Sequence, residues 1–442
     1  MTPVKIPAFP RARRVAGLVL TAVAAWLLMA QIAPARDAGL TLEQAWQMAL
    51  RQNENIQASR EDLTQADRNL DMATSHLYPQ VSATGSATRR KDINPMMNPD
   101  EYEVLQVEMD QHIYQLGKVW TGKEIAAHQR DGTRLNHRRT VREVLFQVTA
   151  AYYNVLLGRQ AIEIGESSLT RAKKQLERAQ ARYDVGMSTE TYVLRAKVQV
   201  AQAREQLERA RNQYNVAREN LALETGLDSL PASIEEPEEG SFPEKSVETL
   251  VTEALANRLD LLAAEKDTAA AKANIKWERA DFFPKIFARG EYSYTTEEML
   301  YNKHDEDWSA SLNLSVPLFT GGRNRAELAE AKSKHRQTRF NLQRRKNAIR
   351  TEVRSVYLDL QTQREVLQQY KAQVRSAKSN YRQVTAQFEE GMATSVDQVD
   401  AFTTLNQAQN QLANAHYDYQ LNLVKLQLAT GSFPVPETAA TN

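Results

Sequence analysis

Asp397 and Asp400 stand three residues apart in a stretch with helical patterning, so their two carboxylates share one face of one helix. Two such acids on an isolated helix are ordinary solvated side chains; brought together in several copies, they would attract cations. Nothing else in the chain has the makings of an active site. The seven histidines (His76, His112, His128, His137, His304, His335 and His416) are scattered without ligand spacing, and no Gly-rich phosphate loop or nucleophile motif occurs. There is no cysteine, which excludes disulfides, thiolate metal sites, a Cys nucleophile and lipid attachment through an N-terminal Cys. Neither enzyme activity nor a metal or cofactor is expected. Lys plus Arg (56) nearly balances Asp plus Glu (55), so there is no electrostatic footprint for nucleic acid or an anionic membrane surface.

The elements that would position the two acids follow from an internal repeat. Shifting the chain by 205 residues aligns Ala49-Leu50 with Ala254-Leu255, Pro79 with Pro284, Tyr152 with Tyr357, and Gly186-Met187 with Gly391-Met392. Two halves, 36–227 and 246–432, therefore share one architecture, joined by a Pro- and Glu-rich linker, 228–245, and followed by a flexible tail, 433–442. No proline occurs between Pro99 and Pro231 or between Pro317 and Pro434, which predicts long helices in each half. In the last helix of the first half, Val193, Ala196, Val200, Ala203, Leu207, Ala210, Tyr214, Ala217 and Leu221 recur at spacings of three and four. Ala401, Leu405, Ala408, Leu412, Ala415, Tyr419 and Leu426 repeat this coiled-coil seam in the second half. The preceding helix, from about Lys118 to Tyr183, would reach about 100 Å at ~1.5 Å per residue, longer than a compact domain is wide.

Between the first and second helices of each half the period changes to two. Val81, Ala83, Gly85 and Ala87 alternate with Ser82, Thr84, Ser86 and Thr88, and Leu105, Val107 and Met109 with Gln106, Glu108 and Asp110. In the second half, Ile286, Ala288, Gly290, Tyr292 and Tyr294 mark one face, as do Trp308, Ala310, Leu312, Leu314 and Val316. Strands of about ten residues have the length of a tilted membrane span. Each half thus reads helix, β-hairpin, long helix, helix. Arg11, Arg13 and Arg14, an apolar run from Val15 to Ala30 and Ala33-Pro34-Ala35 form the pattern of a secretory signal peptide, 1–35.

Four strands cannot close a barrel, and open sheet edges are not tolerated in lipid, so other copies must complete it. Three copies supply twelve strands, whereas two supply eight, too narrow for an open lumen. The fold class expected is mainly α with a membrane β-barrel portion. Long antiparallel coiled-coil helices of a homotrimer would form an α-barrel, and four strands per subunit a 12-stranded β-barrel.

Residues 40–432 resemble the TolC-type outer-membrane factors. The resemblance rests on Leu40-Thr41-Leu42-Glu43-Gln44-Ala45 with Ala49-Leu50 and Asn53, and on Leu77-Tyr78-Pro79-Gln80 before the first strand. It continues with Pro317-Leu318-Phe319-Thr320-Gly321-Gly322-Arg323 after the last strand, Tyr183-Asp184-Val185-Gly186-Met187, and Phe388-Glu389-Glu390-Gly391-Met392. It implies an outer-membrane homotrimer of a Gram-negative bacterium that extends into the periplasm. Such a channel passively conducts substrates from an inner-membrane pump, proton-driven or ABC type, and a periplasmic adaptor, in efflux or type I secretion. The competing reading is a periplasmic helical adaptor or structural protein without its own pore.

The resemblance also assigns roles. Pro79, Pro284 and Pro317 mark transitions between helix and strand. Val185, Gly186 and Met187, with Glu390, Gly391 and Met392, form the adaptor-contact tip, the second triplet departing from the family pattern at Glu390. Asp397 and Asp400 match acids lining the constricted entrance and would form rings that select cations. Three residues that hold the family's entrance shut are replaced here by Phe388, Ala393 and Tyr192, which implies a closed state held by stacking or by Asp184 and Arg182.

Overall fold

The computed structural model describes residues 39–89, 101–227, 229–231, 233–296 and 306–436. The expected signal peptide, most of the two loops between paired strands and most of the C-terminal tail lie outside the described residues. The first half contains α1 (Leu42–Gln52), α2 (Glu54–Ser75), β1 (Gln80–Arg89), β2 (Glu101–Tyr114), α3 (Lys118–Asp184) and α4 (Glu190–Thr225). The second contains α5 (Val247–Asn257), α6 (Leu259–Ala280), β3 (Lys285–Thr295), β4 (Glu306–Ser315), α7 (Arg323–Glu389) and α8 (Ser395–Thr430). Every helix boundary of the second half lies 205 residues beyond its counterpart, as Arg323 stands to Lys118. A separate small unit, formed by residues 39–41 and 231–237 where they are described, contains one parallel bridge, Leu40 to Ile234.

The single helix expected before each hairpin is two helices. Asn53 interrupts the first: its side chain accepts from the amides of Asn55 and Ile56, and its Nδ2 donates to the Glu224 carbonyl at 3.0 Å. A side chain that caps a new helix offers the backbone an alternative to continuing the old one. In the second half the break falls at Arg258, whose guanidinium grips the carboxylate of Asp260 through two bonds of 3.0 and 2.9 Å. Each break abuts the end of a later helix so closely that only glycine fits. A Cβ on Gly226 would stand 2.8 Å from Gln52, and one on Gly431 2.9 Å from the Asn257 carbonyl oxygen; both glycines have positive φ.

The four strands form one antiparallel sheet in the order β1-β2-β3-β4, so the two hairpins pair through β2 and β3. Pro317 follows β4 by two residues and ends its pairing at Ser315. At the corresponding place β2 carries His112 and runs on to Tyr114, past a register shift. Pro79 and Pro284 stand immediately before β1 and β3, after turns that end α2 and α6. Helix packing follows the strand order: α2 packs on α3, α3 on α6, and α6 on α7. Further along, α4 packs on α3, α3 on α8, and α8 on α7. An apolar cluster with Leu250, Leu261, Ile349, Val353, Leu360 and Leu426 joins α5, α6, α7 and α8. The predicted seam of α8 is buried at Ala401, Leu405, Ala408, Ala415, Tyr419 and Leu426. Gln398, Asn406, Ala413, Tyr417 and Gln420 are buried as well, because α8 is covered on two sides.

Candidate functional site

The sheet has two chemically distinct faces. Val107, Tyr292 and Trp308 align across β2, β3 and β4, and so do Met109, Gly290 and Ala310, on the face that also carries Val81 and Leu312. This apolar face is solvent-exposed in the single chain, Trp308 by 76%. A contiguous exposed apolar surface needs a cover, and the aromatic residues near one end suit a lipid–water boundary. On the opposite face Arg289 bridges Glu108 at 3.0 Å and Asp110 at 2.9 Å, and Gln106 donates to Glu291 at 2.7 Å. Polar side chains bonded to one another in this way suit contact with water.

At the far end of the helices the chain turns back twice by the same geometry. Gly186 (φ 74°) and Gly391 (φ 79°) provide the left-handed residue. The Met187 amide then donates to the Arg182 carbonyl and the Met392 amide to that of Gln387, both at 2.8 Å. These bonds satisfy helix-end carbonyls and push Val185, Met187 and Met392 into solvent, Met187 by 75%. Glu390 is exposed beside them. All six predicted tip residues therefore lie in two adjacent turns.

Asp397 and Asp400 lie on the first turns of α8, both exposed. Asp397 also does something the sequence reading missed. Thr394 and Asp397 form a capping box, in which the Asp397 carboxylate accepts from the Thr394 amide at 2.8 Å and hydroxyl at 2.6 Å. The Thr394 side-chain hydrogen bond, then its backbone one, hold the Asp397 pKa below the usual carboxylate value. The spacing Thr394-x-x-Asp397 was the available signal. The position 205 residues earlier holds Tyr192, so the first half has no such box.

Tyr192 packs on Phe388 with ring centroids 5.0 Å apart. Its hydroxyl donates to Gln398 Oε1 at 3.1 Å, as does Gln175 Nε2. Burial raises the Tyr192 pKa. Arg182 lies over the Phe388 ring and donates to the Phe388 and Glu389 carbonyls, at 3.3 and 2.8 Å, while Arg178 pairs with the Glu389 carboxylate. Further from the tip, Asn406 donates to Ser168 and accepts from Arg171. Between the α3/α4 and α7/α8 hairpins Tyr192 and Phe388 meet with ring planes tilted by 48° and Arg182 reaches the end of α7, whereas Asp184 accepts from Gln180 on its own helix. Ala393 makes no comparable link. Among the described residues no cluster of His, Asp or Glu is arranged to hold a metal, and no helix is long and apolar enough to cross a membrane.

Comparison with known proteins agrees with this geometry. Residues 45–227 and 250–432 match the model of the family described as outer membrane efflux protein, each half separately. The outer membrane protein TolC of Vibrio cholerae serotype O1 is 26% identical over 378 residues, covering 83% of this chain and 85% of that protein. Among solved structures, a CusC channel superposes with a TM-score of 0.79 at 19% identity, covering 89% of this chain and 92% of CusC. The outer membrane protein VceC of Vibrio cholerae superposes with a TM-score of 0.76 at 21% identity, covering 88% and 96%.

Proposed function

This chain belongs to the outer membrane efflux protein family, and on that premise we propose that it is one subunit of a homotrimeric duct. The duct passively conducts substrates handed over by an inner-membrane pump and a periplasmic adaptor. Its location is the outer membrane. The observation that carries the reading is the coincidence of open edges. β1 and β4 are the unpaired edges of the sheet, and α2 and α7, which join those strands, stand at the two ends of the packed series α2, α3, α6, α7. One neighbouring copy placed against β4 and α7 would satisfy both edges at once. Three copies close a twelve-stranded barrel, apolar face outward to lipid and the Arg289 cluster inward to water.

Trimer closure would bring three copies of Asp397 and Asp400 into two carboxylate rings at the periplasmic entrance, attracting cations and marking the constriction. The exposed turns Val185-Gly186-Met187 and Glu390-Gly391-Met392 are where the adaptor docks, and docking separates the two hairpins. The duct itself binds substrate weakly, since tight binding opposes conduction.

Planar-bilayer recordings of the purified mature protein test this. Small cation-selective openings, blocked by a multivalent cation in wild type but not in Asp397→Ala/Asp400→Ala, are the expected result. Conductance indifferent to those substitutions would discard the acidic entrance and keep the channel. A monomer without heat-modifiable trimer migration on a gel and without membrane insertion would overturn the reading in favour of a periplasmic adaptor.

A further inference from the structure

A pocket of about 220 Å³ lies between the two helical hairpins, close to the tip. Arg171, Lys174, Arg178 and Arg182 line it from α3, at spacings of three and four, and Glu389 of α7 is the only acid among its lining residues. Like charges at this spacing on one helix repel. Glu389 neutralises Arg178 alone, and Arg182 is committed to backbone carbonyls. The terminal nitrogens of Arg171 donate to Ser167, Asn406 and Gln409, while its Nε is buried without a hydrogen-bond partner.

A second, independent feature points to a ligand. Gln175 is 5% exposed and lines the pocket, yet its Oε1 has no partner. An unmet polar atom at that depth destabilises the fold unless something else meets it. Amide oxygen and nitrogen exchange places on a flip. Turning Gln175 and Gln398 together preserves the bond between them, lets Gln398 donate to the Tyr192 hydroxyl, and presents Gln175 Nε2 to the pocket as a donor.

We propose that this pocket binds a small polyvalent oxyanion, a phosphate or a di- or tricarboxylate, through Lys174, Arg171 Nε and Gln175 of α3. The volume admits an anion of that size and leaves no room for a folded partner. The anion offsets the repulsion along α3 and meets the unpartnered amide. The site stands on the pocket's geometry and does not require that the protein conduct.

Isothermal titration calorimetry of the full mature protein in detergent, with inorganic phosphate and separately with citrate, at ionic strength held constant by sodium chloride, tests it. Saturable binding of one anion per chain is expected for at least one of the two. Response to phosphate alone or to citrate alone identifies the class, and response to both identifies charge as the criterion. Lys174→Gln and Gln175→Leu should each weaken binding about tenfold or more. Lys173→Gln removes the same charge from the adjacent exposed position outside the pocket lining and should leave binding unchanged. Lys174 is exposed, so its replacement leaves helix packing intact. Absence of saturable binding with both anions overturns the proposal, as does equal weakening by Lys173→Gln and Lys174→Gln, the signature of diffuse charge screening.

Discussion

Tyr192 of α4 packs against Phe388 of α7, ring centroids 5.0 Å apart and planes tilted by 48°, across the boundary between the two helical hairpins. The contact joins residues far apart in sequence at the point where the hairpins must part if the tip is to open. The Arg182 guanidinium lies over the same ring, 5.3 Å from its centroid, and Gln398 Oε1 accepts from the Tyr192 hydroxyl.

Phe388→Ala removes both the aromatic pair and the Arg182 contact. An aromatic pair contributes about 0.5–1.5 kcal/mol beyond its buried area, so the substitution should loosen the tip and give larger, more frequent openings in planar bilayers. Tyr192→Phe keeps the ring and loses one hydrogen bond worth about 1 kcal/mol, so its effect should be smaller. Openings of Phe388→Ala equal to wild type would show that the hairpins are held elsewhere.

Thr394→Ala separates the capping role of Asp397 from the entrance role proposed for it. Because Thr394 lowers the Asp397 pKa in the folded state, the cap's contribution is complete above the unfolded value of about 3.9 and fades as pH falls through the lower folded value. Cation block should therefore persist in wild type to pH 5. Thr394→Ala should keep the block at neutral pH and lose it at a higher pH than wild type does, whereas Asp397→Ala should weaken it at every pH. The pH dependence of block in single-channel recordings distinguishes the three proteins.

The Arg258–Asp260 pair predicts an acid-sensitive joint. Asp260 is 8% exposed; burial alone would raise its pKa, but the hydrogen bonds and charge of Arg258, the charge of Arg345 and the Leu261 amide outweigh it and the net shift is downward. The pair's stabilisation is therefore present above the unfolded pKa and lost as pH falls through the depressed one. Arg258→Ala leaves the buried carboxylate only Arg345 and the Leu261 amide and should cost about 1.5–3 kcal/mol at pH 7. Urea unfolding at pH 7 and pH 3 measures this, and the gap between variant and wild type should narrow in acid.

Gly431→Ala combines a left-handed backbone with a Cβ 2.9 Å from a carbonyl oxygen, and Gly226→Ala repeats the situation against Gln52. Gly391→Ala has the same sign of φ but open space around the new atom. The left-handed conformation alone costs roughly 1–2 kcal/mol for an alanine. Urea midpoints should accordingly fall further for Gly226→Ala and Gly431→Ala than for Gly391→Ala. Equal losses would mean that the α1–α4 and α5–α8 contacts relax without cost.

Much of this protein was legible in its residues. The offset of 205 that aligns Pro79 with Pro284 and Gly186 with Gly391 also relates the helix boundaries, since each half repeats the same breakers and turn residues. Alternation from Val81 to Thr88 and from Ile286 to Tyr294 placed the strands and their faces, because side chains in a strand point alternately up and down whatever surrounds them. The turns at Gly186 and Gly391 were marked by the repeat and by the family resemblance. What the residues left open is which element covers which face. The seam of α8 read as one apolar stripe, yet Gln398 and Asn406 are buried against α3, bonded to Gln175 and Ser168, and buried Gln420 accepts from the Gly240 amide of the linker. The pairing of β2 with β3, the break at Arg258, the grip of Arg182 on the end of α7 and the Tyr192–Phe388 contact belong to the same class. A period reports the character of a face, whereas a polar or aromatic partner two hundred residues away becomes a neighbour only when the chain has folded back to meet it.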